Sequence, residues 1–373
     1  MRQKKTKVLE ILHSLNAGGI EAFIVNFLKA RNEEEREAAK IDIWTLCNDG
    51  NQYFDNAVLE QGCRIFRPRL VRWTNILHRP LCFFYLAYIL LKYGPYDAVH
   101  LHLHSTGALF VPLLKIFRVR KIILHSHNTS ETGAGRLWKM IYPSLSSFLA
   151  KYANIRCACS AEAGKELFGS LPVKIVPNGI DTAKFAFNAE IRAGKRKELA
   201  ISDDTFAVGI AGRLMEQKNH SFLLDVFKEI LKIRQDSVLL IAGAGPLQEM
   251  LKNKAEMLGI SKNIKFLGVR NDIAELYQAF DCFVLPSIYE GFGIVCIEAQ
   301  AAGLPCIVSE AVPKSAAIIN TLRISLKDPP ENWAKQIIDF SSKTERQDCS
   351  GIIRKKGFDS RNTAEMLIDM YQH

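Results

Sequence analysis

The stretch that decides the reading is PSIYEGFGIVCIEAQAAGLPCIVS, residues 286–309. It follows CFVL (282–285), an apolar run of strand length, and closes on a second such run, CIVS. Between them Glu290 sits in a loop, Gly291 and Gly293 flank Phe292, and the pattern predicts a helix from about Ile294 to Ala302. Glycines there let the backbone approach a ligand closely, and the unpaired amides of a helix's first turn bind phosphate oxygens. Glu290 stands before the helix and Glu298 about one turn inside it. An unpaired carboxylate in so apolar a helix is costly. Glu298 is therefore expected to serve a ligand, or else to pair with a lysine elsewhere in the core.

Outward from this stretch, short β-rich runs alternate with longer helical patterns for nearly the whole chain. KVLEILH, IDIWTL, YDAVHLH, KIILHSH and NIRCACS read as strands in the first half, and AVGIAG, VLLIAG, IKFLG, CFVLP and CIVS in the second. Amphipathic stretches lie between them at 21–31, 137–152, 221–235 and 246–258. The alternation implies βαβ units, parallel sheets and helices on both faces. VPNGIDTAKFAFNAE (176–190) interrupts it with Pro, Asn, Gly and Asp before the cycle restarts, so a domain boundary is predicted near residue 182. In open parallel sheets ligands sit beyond the carboxyl ends of the strands, and two such domains would share one in the cleft between them.

Three further segments carry candidate chemistry. In AVGIAGRLMEQKNHSFLLDVF (207–227) a strand ends at Gly212, and Arg213 and Lys218 precede a helix that Asn219 is expected to cap. A planar guanidinium and a mobile ammonium can grip a diphosphate from two sides; the same pair alone would be an ordinary cationic loop. In HSLNAGGIEAF (13–23) a strand stops at Gly18 and Gly19 and a helix begins, which either brings amides to a ligand or is a turn chosen for packing. His100, His102 and His104 alternate at one strand end, and His125 and His127 at the next. No carboxylate or thiolate pattern nearby completes a metal site, so no metal is expected. His127, at a strand's carboxyl end, is the one expected to face the cleft. GAGP (243–246) lacks the third glycine of a dinucleotide fingerprint, Gln248 standing in its place, so a phosphate-proximal or structural turn is the better reading than NAD binding.

Composition bounds the rest. Of 373 residues 48% are apolar and 24% charged, the balance of a globular protein long enough for two cores. Nine scattered cysteines with no CxxC pair read as buried reduced thiols of a cytosolic protein. MRQKKTKVLEILHSL lacks the long apolar core and cleavage site of a signal peptide. The most apolar window, LCFFYLAYILL (81–91), is too short to span a bilayer and reads as a buried or surface-docked helix. The net charge of +10 is partly clustered in Arg64, Arg67, Arg69, Arg72 and Arg79 beside Trp73. That cluster is either a patch for anionic lipid headgroups or a solvated face with no partner, and a nucleic-acid partner is not expected.

Taken together and in this order, the segments resemble the retaining glycosyltransferases of family 4, which have the two-domain GT-B fold. The similarity spans essentially the whole chain and is most specific in EGFG, EAQAAGLP and the Glu290/Glu298 spacing, while LPCIVSEAVPK is similar to bacterial enzymes of capsular, exopolysaccharide or O-antigen synthesis. The resemblance implies an α/β protein of two Rossmann-like domains facing each other across a cleft. Residues 1–182 would bind the acceptor, 183–358 the nucleotide-sugar donor, and a helix at 359–373 would cross back to the first domain. Arg213 and Lys218 would hold the donor diphosphate, helped by amides of Phe292, Gly293 and Ile294, with Gly291 also in the donor site. Glu298 would bind the ribose, Glu290 the sugar, Gly18 and Gly19 would close over the donor, and His127 would lie near the transferred sugar. SEAVPKSA stands where many relatives have a glycine-rich donor-contacting turn, which leaves the sugar open.

The implied reaction is retaining hexosyl transfer, with UDP the family's commonest nucleotide, to a glycan or polyprenyl-linked acceptor. Cations and a helix N-terminus can stabilise the leaving diphosphate without Mg²⁺, so no cofactor is expected. The expected place is the cytoplasm or the inner membrane face. A sugar-nucleotide epimerase of the same architecture and a non-catalytic nucleotide-sugar-binding subunit are the alternatives; an NAD-dependent dehydrogenase is the weakest.

Overall fold

The structure, a computed structural model, describes residues 5–47, 50–68, 78–127 and 144–373, with the backbone alone at 78–80. The chain divides into two compact units, Met1–Gly179 with Ser360–His373, and Ile180–Asp359.

The first unit is built on seven parallel strands: β1 (Thr6–Leu12), β2 (Ala39–Thr45), β3 (Arg64–Phe66), β4 (Ala98–Leu101), β5 (Lys121–Ser126), β6 (Ile155–Ala158) and β7 (Lys174–Ile175). Their order is β3-β2-β1-β4-β5-β6-β7. The inner strands are buried on both faces, which is why they read as near-continuous apolar runs. The helix Gly19–Ala30 covers one face with Phe23, Ile24, Phe27 and Leu28. The C-terminal helix Ser360–Gln372 joins the same cluster through Ala364, Leu367, Ile368 and Tyr371, the spacing of a single helix face. Arg361 ties its start to Glu35 and, at 2.8 Å, to the carbonyl of Ala30.

The second unit holds six parallel strands: β8 (Phe206–Ala211), β9 (Ser237–Ala242), β10 (Ile264–Gly268), β11 (Cys282–Leu285), β12 (Cys306–Ser309) and β13 (Thr321–Ile324), in the order β10-β9-β8-β11-β12-β13. In both sheets chain order reverses between the first strand and the fourth, at β1/β4 and at β8/β11. Loops that leave adjacent strands in opposite directions open a crevice at such a point. The residues expected at the donor, Glu298 apart, lie within a loop, or at its edge, after β1 (Gly18, Gly19), β5 (His127), β8 (Arg213, Lys218) or β11 (Glu290, Gly291, Phe292, Gly293, Ile294).

Two expectations change. Asn219 occupies the position before the helix His220–Ile233, but with φ 53° and no side-chain cap bond. The loop arrives through a turn at Glu216–Lys218, and asparagine's tolerance of the left-handed region is what that entry uses. The supposed loose basic face contains two anchored arginines. Arg64 makes a bidentate pair with Asp42 at 2.9 and 2.6 Å. Arg67, largely buried, bonds Asp55 at 2.7 Å, Thr45 and Gln52. Arg69, Arg72 and Trp73, with the side chain of Arg79, lie outside the described residues. The apolar window becomes the helix His78–Tyr93, which buries Cys82, Leu86, Ile89 and Leu90 yet exposes Leu81, Phe84, Tyr88 and Leu91. No helix among the described residues is long and apolar enough to cross a membrane. All nine cysteines are buried and free of disulfides.

Candidate functional site

In the second unit, the loops after β8 and β11 are stitched together at the reversal. Ile288 N–H donates to the Gln217 carbonyl at 2.8 Å, and Gln217 Nε2 to the Tyr289 carbonyl at 3.1 Å. That pairing carries Lys218 to Glu290, Nζ to Oε1 at 2.6 Å, where Ser287 Oγ also donates at 2.7 Å. Ser287 is in turn fixed by Ser309 Oγ, which bonds its carbonyl at 2.5 Å. The two charged side chains are only 14% and 6% exposed. Removing one partner of such a pair strands the other charge away from water, at a cost of roughly 3–5 kcal/mol.

Gly212 (φ 151°) makes room for the lysine: a Cβ there would lie 3.1 Å from Lys218 Cε. The GAGP turn has a structural task. Cβ atoms at Gly243 and Gly245 would stand 2.0 Å from the Gly212 carbonyl oxygen and 2.4 Å from that of Leu214. The two backbones are joined by Leu214 N–H to Ala244 O at 3.1 Å. The turn therefore buttresses the loop that bears Arg213, whose side chain is exposed.

Four residues after Glu290 the helix Ile294–Ala301 begins. Gly293 enters it at φ 83°, a conformation that disfavours any residue with a Cβ. No side chain caps this end and no acid lies in the first turn, so its amides keep their partial positive charge. Gly291, Phe292 and Ile294 are buried around it, Phe292 stacked on Phe358. Lys218 is thus aimed at the loop that starts this helix.

Glu298 is buried on the helix, and its partner is a phenol, not the lysine considered from sequence: Tyr277 Oη donates to Oε2 at 3.0 Å. Tyr277 comes from the helix Ile273–Ala279. Burial pushes the Glu298 carboxyl up to about 7, only partly opposed by the tyrosine bond and by Lys184 and Lys218. A carboxyl held there changes charge near neutrality.

In the first unit Gly18 is the extended residue before the helix Gly19–Ala30, and neither it nor Gly19 has positive φ. The turn at this point does not itself demand glycine. His127 is buried where β5 ends, at 6% exposure, within a network the histidine spacing did not disclose. Glu10, fully buried on β1, accepts from Tyr371 Oη at 2.6 Å and meets His102 Nε2 at 2.8 Å and His100 Nδ1 at 3.3 Å. His102 Nδ1 meets His127 Nε2 at 2.8 Å, and His100 Nε2 meets His125 Nδ1 at 3.1 Å. Phe23 lies against three of the rings. The carboxylate that appeared to be lacking beside the histidines is therefore present, far away in sequence. Its signal was an acid in the middle of the apolar strand KVLEIL.

Burial works to raise the Glu10 carboxyl, but His100 and His102 outweigh it and hold it well below the carboxylate range. Burial and the neighbouring imidazoles depress three of the rings, His102 to about 4 and His125 and His127 well below the usual value. Ring nitrogens of His100, His102 and His125 lie within 4.8 Å of one another, close enough to share a cation. The short contacts His102–Glu10 and His100–His125 are those of hydrogen-bonded pairs.

Two parallel doubly wound sheets, each with candidate loops at its chain reversal, are the architecture of a GT-B protein. Residues 8–184 match the Glycosyltransferase Family 4 description and 192–356 match Glycosyl transferases group 1. The chain belongs to glycosyltransferase family 4. It is 30% identical to EpsF of Bacillus subtilis over 385 residues, covering 100% of this chain and 97% of that one. It is 32% identical, over 72% of each, to the Escherichia coli UDP-Gal:alpha-D-GlcNAc-diphosphoundecaprenol alpha-1,3-galactosyltransferase. Among solved structures, Anabaena HepE in complex with UDP-glucose matches with a TM-score of 0.79 at 18% identity, covering 97% of this chain and 98% of that one. Sucrose-phosphate synthase from Thermosynechococcus elongatus matches equally well in fold, at 0.79 and 18%, over 98% of each.

Proposed function

We propose that this glycosyltransferase moves a hexose from a UDP-hexose to a glycan or polyprenyl-linked acceptor, with retention and without a metal, in the synthesis of a cell-surface polysaccharide. The observation that carries the donor assignment is the convergence of Lys218 and Glu290 on an uncapped helix start whose second turn buries Glu298. Lys218 has three donors and gives one to Glu290, so it can turn others to a phosphate. Arg213 meets the diphosphate from the exposed side of the same loop, and the amides of Phe292, Gly293 and Ile294 from below. Glu298 accepts the ribose hydroxyls and Glu290 a sugar hydroxyl. Gly18 and Gly19 border the donor and His127 lies near the transferred sugar.

As the glycosyl–phosphate bond breaks, negative charge grows on the diphosphate. Fixed cations and helix amides stabilise that charge more than the ground state, which is the condition for catalysis. The departing phosphate then assists attack from its own side, giving retention. The named activities of the E. coli relative and the UDP-glucose seen with HepE favour UDP and a lipid-linked acceptor. The exposed stripe Leu81, Phe84, Tyr88 and Leu91 along one helix face supports peripheral contact with the inner membrane from the cytoplasm.

A thermal-shift screen of UDP, GDP and their hexoses tests the reading. Selective stabilisation by a UDP-sugar, lost in Lys218→Ala, is the expected result. Equal indifference to every nucleotide would remove the donor-site assignment.

A further inference from the structure

The Glu10 network has no place in the donor chemistry above, yet it ends on His127. We propose that Glu10 is a positioning residue which, acting through His102, locks His127 as the tautomer with a hydrogen on Nε2 and a bare, hydrogen-bond-accepting Nδ1. The derivation is a count of hydrogens. An ionised carboxylate only accepts, so the 2.8 Å contact between Glu10 Oε2 and His102 Nε2 places the hydrogen on that nitrogen. A neutral imidazole has one N–H, so His102 Nδ1 is left as an acceptor. The 2.8 Å contact to His127 must then use a hydrogen on His127 Nε2. His127, also neutral, has none left for Nδ1.

The geometry and the surroundings agree. His127 Nδ1 is buried with no hydrogen-bond partner at close range among the described residues, and the pull of Asn178 towards a protonated ring is outweighed by burial and the neighbouring imidazoles. Groups facing the chain are Phe23, His100, His104, His125 and Asn178 around His127, and Tyr371, His100, Arg31 and Cys63 around Glu10. Burial of these rings disfavours the imidazolium that would break the sequence of single hydrogens. An acceptor nitrogen at that point takes a hydroxyl hydrogen from its ligand and turns away a carbonyl or phosphate oxygen. This last consequence rests on the placement of His127 at the sugar; the tautomer itself does not.

The test is nuclear magnetic resonance of the full chain labelled with ¹⁵N in histidine, without ligand, where protonated and bare ring nitrogens resonate far apart. The His127 signals are assigned by their loss in His127→Gln. The expected wild-type result at neutral pH is a protonated Nε2 and a bare Nδ1. In Glu10→Gln the amide can donate as well as accept, so the Nδ1–H form of His127 should rise from below about one tenth to a population comparable with the other. A wild-type His127 with hydrogen on Nδ1, or on both nitrogens, overturns the proposal even if the variant does not fold. So does a folded Glu10→Gln whose His127 is unchanged. Addition of UDP-glucose then separates the two layers. A bare Nδ1 that shifts on binding supports the contact to a hydroxyl. One that binds UDP-glucose without shifting removes the sugar contact and leaves the tautomer standing.

Discussion

Glu298→Gln should change how stability depends on pH, with little change in structure. In the folded protein burial holds the Glu298 carboxyl at about 7, against an ordinary 4.5. The folded state therefore binds a proton that the unfolded state has already lost. Stability from this group is fully present below the ordinary value and is lost as pH rises through about 7. Ionising it in place costs about 3 kcal/mol at alkaline pH, of which about 2.5 kcal/mol develops between pH 5 and pH 8. Gln cannot ionise, so the difference in unfolding free energy between variant and wild type should move by about that amount across the interval, towards the variant at high pH. Comparing the two chains at each pH cancels every other titration they share. Urea unfolding followed by circular dichroism at pH 5, 6, 7 and 8 measures it. Parallel stability curves for the two proteins would refute the buried, protonated carboxyl. The same group couples to the donor: ribose hydroxyls bond the carboxylate, so UDP binding should strengthen as pH rises towards 7 and lose that dependence in the variant.

Lys218→Ala and Arg213→Ala should each lower transfer about 100-fold or more while the fold persists, measured by product formation beside circular dichroism; normal turnover in both would dissolve the diphosphate assignment. Activity is expected to survive EDTA, and strict dependence on Mg²⁺ or Mn²⁺ would contradict the metal-free route. Gly245→Ala places a Cβ 2.4 Å from the Leu214 carbonyl oxygen, so the Arg213 loop must move. A stability loss of about 1–3 kcal/mol with reduced UDP affinity is expected in thermal melts and titration, and an unaffected protein would mean the turn is no buttress. Replacing Phe84 and Leu91 by Ser should abolish flotation with anionic liposomes; flotation equal to wild type would clear that helix face of membrane contact.

The parallel-sheet architecture was legible because both sheets are built from strands buried on two faces, which forces continuous apolar runs. The start of the helix Ile294–Ala301 was legible because Gly293 has to adopt a left-handed conformation there. The capping role expected of Asn219 and the free basic face expected of Arg64 and Arg67 were not, since residue type says what a side chain can bond and not what lies within reach. Asp42 reaches Arg64 because β2 and β3 pair in register, and Asp55 reaches Arg67 from the start of the helix Asp55–Leu59 between those strands.

Local order along the chain therefore determined the two βαβ arrays, the glycine-bearing loops at strand ends and the candidate set Arg213, Lys218, Glu290 and Glu298. Those features depend on neighbours a few residues apart. Tertiary structure alone decided the partners: Tyr277 for Glu298, Glu290 for Lys218, and Glu10 with Tyr371 for the histidines of β4 and β5. The reason is physical. A charge's state is set by everything within a few ångströms, and in a doubly wound sheet adjacent strands and the helices over them come from distant parts of the chain.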